Sequence, residues 1–426
     1  VPDADSTLCL RPRIGKIVRK ESEDVNDRFN CMLVSHSFTL NDPPVRQAAE
    51  TLASQGYEVH FVHAVSDHEI ATDARHSLTV HEIHPPQRFK RIRPLYSWLR
   101  WRRFKSEIHR KLAEIKPQLV VVKMLHPLAA LPMKNQPHRY KLVSFIPDIP
   151  AIRDAGKLDR RIIKRGWKRL KKADIVWASD IYKAHLAQKL GKLPSRPLVC
   201  HNCPPLDYLP NPVWPRDPWL RSELRKQGVS IEIEGGCILL RAGAIGECGG
   251  IEETLSTMLT LPEDFIFLMI GRPSKDYADH LKRMIVDLGL QRRALFWDRP
   301  NDEIWKMALQ GADIGHLIHG PFPPGSMTQA YELNSSLSNN RLFQYMAAGL
   351  PIIAYDDPRM NDLCAEVDCF KIARLENLKT DLHDIINNLG SHPDVRRALG
   401  MTAREAHLQK YNWEIQFAPV LAICAK

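Results

Sequence analysis

Short apolar runs alternate along the chain with segments whose apolar residues recur at helical spacing. The first run is Cys31-Met-Leu-Val-Ser35, which ends in a polar turn. Residues 45–55 then place apolar side chains on one helical face, Gly56 follows, and Tyr57-Glu-Val-His-Phe-Val62 reads as a strand. Strand, helix, glycine, strand is how a parallel βαβ unit begins. Further apolar runs at 119–122, 141–146 and 174–178, separated by helical patterns, extend this half into a doubly wound sheet. Six prolines within residues 204–218 then break the series, a density that neither a helix interior nor a central strand tolerates. The alternation restarts with Cys237-Ile-Leu-Leu240, a glycine-rich turn, a helix from Ile251 and a strand over 265–270 ending at Gly271. Runs at 295–297, 312–317 and 351–354 continue it.

The pattern predicts an α/β protein of two Rossmann-like domains with parallel sheets. Its divisions are an N-terminal extension over 1–30, a first domain over 31–203, a proline-rich linker over 204–236 and a second domain over 237–408. Residues 409–426 are apolar at helical spacing and are expected to form a closing helix that packs back toward the first domain.

Composition narrows the class. A length of 426 residues suits two or three domains. With 44% hydrophobic and 26% charged residues, the chain has the apolar material that a mainly disordered protein lacks. Its longest apolar stretches fall far short of the ~20 residues a bilayer requires. Residues 1–30 are charged and hold no apolar block, so no cleavable secretory segment is expected there. Nine scattered cysteines suit the reducing cytosol better than a disulfide framework. Cys200 and Cys203 have the spacing of half a zinc knuckle, but no second pair follows to close a tetrahedral site, and no metal is expected.

Two stretches carry most of the chemistry. Arg241-Ala-Gly-Ala-Ile-Gly-Glu-Cys-Gly-Gly-Ile-Glu-Glu253 is glycine-dense between a strand and a helix. Gly243, Gly246, Gly249 and Gly250 would let backbone amides approach an anion at the helix start, which makes this turn a candidate phosphate cradle. In Asn339-Asn-Arg-Leu-Phe-Gln-Tyr-Met-Ala-Ala-Gly-Leu-Pro-Ile-Ile-Ala354, a helix is stopped by Gly349 and Pro351 opens an apolar strand. Asn340, Arg341 and Gln344 lie three and four apart near the start of that helix, on one face.

That second stretch resembles the donor-site helix of nucleotide-sugar-dependent glycosyltransferases, specifically glycosyltransferase family four. The resemblance extends over nearly the whole chain. Asn41-Asp-Pro-Pro-Val-Arg46 with Gly56-Tyr-Glu-Val59 is similar to the family's first βα unit, and Ala173-Asp-Ile-Val176 with Ala178-Ser179 to a later strand. Pro197-Leu-Val-Cys-His-Asn-Cys-Pro-Pro205 resembles the exit from the first domain, and Tyr411-Asn-Trp413 the start of the C-terminal helix.

The resemblance implies a GT-B fold, two Rossmann-like domains whose sheets face across a cleft. The second domain would hold the nucleotide-diphosphate sugar, UDP or GDP, and the first the acceptor. It further implies sugar transfer with retention of configuration and no cofactor or metal at the centre. The departing diphosphate would then need N–H groups, a helix dipole and basic side chains. Family members often carry a basic residue after the turn's first glycine and another before its last. Here those places hold Ala244 and Gly249, so Arg241, Arg272 and Arg341 are the candidate substitutes. The family's Glu-x7-Glu pair falls on Ser336 and Gln344, leaving Gln344 to bond ribose hydroxyls. Glu332, in the proline-rich loop 320–339, is a candidate to face the donor sugar. His126, after the strand at 119–122, stands where the family places a histidine that orients the sugar, and with Glu332 makes up the catalytic candidates. His36, Asp42 and Asp148 are acceptor-side candidates at the ends of first-domain strands.

Two basic stretches remain. Residues 88–111 hold ten Lys/Arg and one acidic residue, interleaved with Trp98, Trp101 and Phe104 at helical spacing. Residues 157–172 hold nine Lys/Arg and one acidic residue. A basic amphipathic helix suits an anionic bilayer surface, with Trp98, Arg100, Trp101, Arg102 and Arg103 as the expected contacts. Nucleic acid would also attract this charge, but the chain shows no recognised nucleic-acid module. The leading reading is a cytoplasmic glycosyltransferase, peripheral on the cytosolic face of a membrane, that extends a lipid-linked or polysaccharide acceptor. Two alternatives stand beside it: a GT-B-shaped sensor or scaffold for sugar nucleotides, and a sugar-nucleotide epimerase.

Overall fold

The computed structural model describes residues 29–36, 42–65, 78–86, 91–133, 138–153, 155–211, 213–229, 231, 236–243, 245–298, 300–320 and 340–424. The first sheet holds strands β1 (Phe29–Ser35), β2 (Tyr57–Ala64), β3 (Leu78–Ile83), β4 (Leu119–Lys123), β5 (Lys141–Ile146), β6 (Ile175–Ala178) and β7 (Leu198–Val199). They lie side by side in the order β3-β2-β1-β4-β5-β6-β7. The second holds β8 (Cys237–Gly243), β9 (Phe265–Gly271), β10 (Ala294–Asp298), β11 (Ile314–Leu317), β12 (Ile352–Tyr355) and β13 (Phe370–Ala373), in the order β10-β9-β8-β11-β12-β13. Among the described residues every pairing is parallel. In both sheets the winding direction reverses once, between β1 and β4 and between β8 and β11. Open α/β sheets bind ligands at that reversal, beyond the carboxyl ends of the strands.

The helices are α1 (Pro43–Ser54), α2 (Arg93–Ile115), α3 (Leu125–Ala130), α4 (Lys157–Leu170), α5 (Ile181–Gly191), α6 (Trp219–Lys226), α7 (Ile251–Met258), α8 (Lys275–Asp287), α9 (Asp302–Gly311), α10 (Asn340–Ala347), α11 (Asn361–Glu366), α12 (Leu378–Ser391), α13 (Pro393–Gln409) and α14 (Trp413–Cys424). Strands covered on both faces must be apolar on both. Phe265-Ile-Phe-Leu-Met-Ile270 is accordingly buried at every position. Helix starts use side-chain caps: Asp180, Ser274 and Asn301 accept the backbone N–H three residues on, at α5, α8 and α9.

Two packing features set the geometry between the sheets. The residues read as a linker are part of the second core. Leu209, Leu220, Leu224, Val229 and Ile231 are buried in the cluster that contains β8 to β13, so this segment is a packed strap with a helix in it. Helix α14 crosses back to the first sheet, where Trp413, Phe417 and Val420 share a core with Phe145 and Trp177. Trp413 Nε1 donates to Thr51 Oγ1 at 2.9 Å, and Tyr57 Oη donates to the Cys424 carbonyl at 3.3 Å.

The C-terminal end of α10 is held by arginines from the strap and from α13. Arg404 donates to the Ala347 carbonyl (2.6 Å), and Arg216 to those of Ala348 (2.6 Å) and Gly349 (2.5 Å). These carbonyls have no partner within the helix, and cations there complement its dipole. Gly349 adopts φ +59°, and a Cβ on Gly400 would lie 2.2 Å from the Gly349 carbonyl oxygen, so α13 meets this turn backbone to backbone.

Candidate active site

The turn between β8 and α7 lies at the reversal point of the second sheet. Gly243 has φ +114° and Gly250, the N-cap of α7, has φ +61°. The glycines are also small for a reason. A Cβ on Gly243 would sit 3.1 Å from Arg341 Nη2, and one on Gly249 would sit 2.8 Å from Arg241 Nη2. On Gly250 it would meet Ile318 at 2.5 Å. Around Gly246 there is open space, so sterics do not demand a glycine there. Two guanidinium groups therefore press against the backbone of the turn from below.

Arg241 does not face the cleft as a ligand contact, contrary to the sequence expectation. It is 2% exposed, and its Nη1 donates to the carbonyls of Gly249 (2.9 Å) and Ile318 (2.9 Å). The same nitrogen lies 3.1 Å from His316 Nδ1. A guanidinium only donates, so Nδ1 accepts and the proton of His316 sits on Nε2. That Nε2 is 3.0 Å from Thr254 Oγ1, and the Thr254 hydroxyl donates to the Gly250 carbonyl at 2.6 Å. Arg241, His316 and Thr254 thus form a directed chain that fixes the consecutive carbonyls of Gly249 and Gly250. Burial drives His316 well below its ordinary pKa, with Arg241 adding to the effect, and the ring is neutral. Burial lowers Arg241 to about 9 and also lowers Arg341, leaving Arg241 cationic near pH 7.

Arg341 is equally buried, while Asn340, at the first position of α10, is half-buried. Arg272 is exposed just past the end of β9. Gln344, the residue expected to bond ribose hydroxyls, has its amide engaged within the protein. Its Oε1 accepts from Trp305 Nε1 at 3.4 Å and its Nε2 donates to the Tyr208 hydroxyl at 3.2 Å. Sharing one helical face did not give the two side chains one target: Arg341 underlies Gly243, whereas Gln344 ties α9 to the proline-rich strap. Glu332 and Ala244 lie outside the described residues.

The first sheet carries its own site at the matching reversal. A cavity of about 300 Å³ is lined by Asp42, Pro43, Pro44, Lys123, Pro147, Asp148, Ser179 and Asn202. Asp42 and Asp148 line it from the start of α1 and the end of β5. Two lysines accompany them that the sequence does not single out. Lys123 pairs with Asp42, and burial lowers its ammonium to about 7. Lys183 donates to Asp148 Oδ1 (2.8 Å) and the Pro147 carbonyl (2.7 Å), with Asp180 Oδ2 at 3.8 Å. The one sequence signal is Lys123 itself, a lysine that is buried at the end of an otherwise apolar strand.

His36 lines a different place. Its ring stacks on His126 (centroids 5.0 Å apart, planes at 17°) and meets Phe104 edge-on at 4.8 Å. Burial, with His126 and Arg100 nearby, lowers His36 to about 3, and burial also lowers His126. His126 Nε2 lies 3.9 Å from Asp159 Oδ1. The pair is neutral at physiological pH, wedged between the end of β1 and helices α2 and α3.

Residues 310–422 match the family model described as glycosyl transferase-like. No curated protein matches the chain by sequence. Three solved structures share its architecture. HepE of Anabaena, in complex with UDP, superposes with TM-score 0.68 at 14% identity, over 93% of this chain and 99% of that one. WaaG, a glycosyltransferase involved in lipopolysaccharide biosynthesis, gives 0.64 at 13% over 93% and 100%. Sucrose-phosphate synthase from Thermosynechococcus elongatus gives 0.67 at 15% over 93% and 98%. The fold is GT-B.

In this GT-B chain the basic helices share one face of the first sheet. Phe104, Ile108, Leu112 and Ile115 of α2 and Ile163, Trp167 and Leu170 of α4 enter one core, with α3 between the two helices. Trp98 remains 42% exposed with the Arg102 guanidinium 4.7 Å from its ring centroid, and Arg103 is exposed. Trp101 and Arg100 do not belong to this outer surface. Both are half-buried, Trp101 against the core and 6.4 Å from the His36 ring, because the helical period turns them inward beside Phe104. Among the described residues no helix is long and apolar enough to cross a membrane, and no His/Cys/Asp/Glu group has the arrangement of a metal site.

Proposed function

We propose that this chain is a glycosyltransferase that moves a sugar, with retention of configuration, from a UDP- or GDP-sugar to a glycan or lipid-linked acceptor. The observation that carries the reading is the β8–α7 turn. Its Gly243 and Gly249 lie against two buried guanidiniums at the sheet's reversal point. Charge develops on a departing diphosphate, and fixed amides, the start of α7 and nearby cations are the groups that offset it without reorganising. In this reading Arg341 and Arg241 supply positive potential through the turn rather than by direct contact, and exposed Arg272 meets the phosphate from outside. This takes over the work of the two basic positions that Ala244 and Gly249 leave empty. The match of 310–422 to a glycosyl transferase-like model and the UDP complex of HepE support the same assignment.

The exposed basic side chains of α2 and α4, with Trp98 and Ile92 exposed at one end of α2, suit the surface of an anionic membrane. Docking there would bring a lipid-linked acceptor to the cleft from the cytosolic side.

Calorimetric titration with UDP-, GDP- and ADP-sugars tests the core of this reading. Binding of a UDP- or GDP-sugar, weakened ~10-fold or more in Arg341→Ala through loss of a charge-assisted contribution, is the expected result. Absence of binding to any of the three, or unchanged affinity in a folded Arg341→Ala, refutes it.

A further inference from the structure

We propose that the free end of α2 carries an anion site for a phosphate monoester, held by the Arg100 guanidinium beside the stacked His36 and His126. The site stands independently of the transferase reading. It lies on the sheet face covered by α2, α3 and α4, whereas α1, whose start lines the cavity with Asp42, covers the other face.

Arg100 is an arginine turned inward without a counterpart. Burial in α2 begins at Phe104, so the turns before it stand clear of the core except through Trp101. Arg100 lies one turn before Phe104 on the same face and is half-buried. Other inward arginines of this chain meet oxygen. Arg169 donates to the carbonyls of Leu128, Ala129 and Leu131, and Arg221 to Asp313 and the Gly311 carbonyl. Arg404 donates to the carbonyls of Ala347 and Leu209. The Arg100 Nε is buried with no partner, and among the described residues none gives this guanidinium a hydrogen bond or an ion pair. A guanidinium keeps its charge at any physiological pH, so its partial removal from water is unfavourable until an anion offsets it.

The surroundings select the anion. His36 meets Phe104 edge-on at 4.8 Å, stacks on His126 at 5.0 Å and has Trp101 at 6.4 Å. After burial, the Arg100 charge is among the causes that hold both imidazoles neutral, and a neutral imidazole keeps one N–H to donate. The guanidinium fork takes up both oxygens of a carboxylate, whereas a phosphate monoester retains a third for an imidazole N–H. Asp159 opposes any anion: its Oδ1 is 3.9 Å from His126 Nε2. The local balance is nevertheless positive, with ten Lys/Arg and one acidic residue over 88–111. Trp98 and Ile92 are exposed on or next to the same free turns, so the phosphate can arrive on a lipid headgroup or on a soluble ligand.

Calorimetric titration of the full chain with glycerol 3-phosphate, and with acetate for comparison, tests the site. Saturable binding of glycerol 3-phosphate, tighter than acetate, is expected. Arg100→Gln should weaken it ~10-fold or more, the worth of a charge-assisted contact, with Arg100→Lys between. Arg103→Gln, on the exposed face, should leave it within ~2-fold, as surface charges are screened, while Asp159→Asn should tighten it. A cooperative melt checks that each variant is folded, and Arg100→Lys keeps the test valid if Arg100→Gln is not. No saturable binding, equal or tighter binding of acetate, equal effects of Arg100→Gln and Arg103→Gln, weaker binding in folded Asp159→Asn, or displacement by UDP overturns the inference. Vesicles of phosphatidic acid and of phosphatidylglycerol, matched in surface potential, identify the carrier. A preference for phosphatidic acid that disappears in Arg100→Gln assigns a lipid headgroup, and no preference beside Arg100-dependent glycerol 3-phosphate binding assigns a soluble ligand. A preference that survives Arg100→Gln overturns the site.

Discussion

Arg241 and His316 meet at 3.1 Å beneath the β8–α7 turn, 75 residues apart in the chain. The contact works only with His316 neutral and protonated on Nε2, which makes the histidine a spacer between a guanidinium and the Thr254 hydroxyl. Arg241→Met keeps much of the bulk and removes the donors, leaving the Gly249 and Ile318 carbonyls buried and short of a partner. The expected cost is ~3 kcal/mol in urea denaturation, with weaker UDP binding from a loosened turn. A loss below ~1 kcal/mol would mean that the chain does not brace the turn.

Gln344 holds Trp305 and Tyr208 rather than projecting into solvent. A glutamate there accepts from both the indole N–H and the tyrosine hydroxyl, whereas an alanine offers neither bond. Gln344→Glu should therefore keep UDP affinity within ~5-fold, while Gln344→Ala loses more than that, since each neutral bond is worth about 1 kcal/mol. Calorimetry with both variants checks the order; equal affinities would show that the bridge is idle.

The stacked histidines give an acid-side signature. His36 has a folded-state pKa of about 3 against an ordinary 6.5. Between these values the unfolded chain binds a proton that the native chain refuses, so stability falls as pH drops through this window and the full contribution is present above it. The slope reaches ~1.4 kcal/mol per pH unit for one such group. His36→Gln should lose this component, so its stability relative to wild type rises as pH falls from 6.5 toward 3, measured by denaturant titration at several pH values. A constant difference would place His36 in a solvated setting.

Close backbone packing at the end of α10 predicts a sharp steric penalty. Gly400→Ala places a methyl 2.2 Å from the Gly349 carbonyl oxygen, which cannot yield as a flexible side chain would. Destabilisation of ~2–3 kcal/mol is expected in chemical denaturation. A neutral result would mean that α13 and the turn slide apart easily.

Membrane contact has a direct readout. Flotation with phosphatidylglycerol-containing vesicles should weaken when Arg102, Arg103, Lys164 and Arg165 become Glu together, weaken with Trp98→Ser, and fall as salt rises. Trp101→Ser should act through stability instead, because that ring packs inward. Equal flotation of the charge-reversed chain would remove membrane docking.

Most of the architecture is legible in the alternation of apolar runs and helical patterns, because a strand buried on both faces can hardly be anything but apolar. Two of the strands that escaped it have a physical reason. β3, an edge strand, carries Thr79, His81 and Glu82, and β7 has two residues, so neither forms an apolar run. Glycine density marked the turn at 243–250, and strand ends marked Asp42 and Asp148. Periodicity reports which face of an element is apolar and where the backbone must bend; it says nothing of which distant residue a polar side chain will meet. Only the folded chain decided that Arg241 looks inward to His316, that Gln344 is occupied, that Lys123 and Lys183 join the two aspartates, and that the proline-rich strap is core. Those outcomes depend on contacts across tens to hundreds of residues, where burial and charge pairing choose the partner after the strands have set the distances.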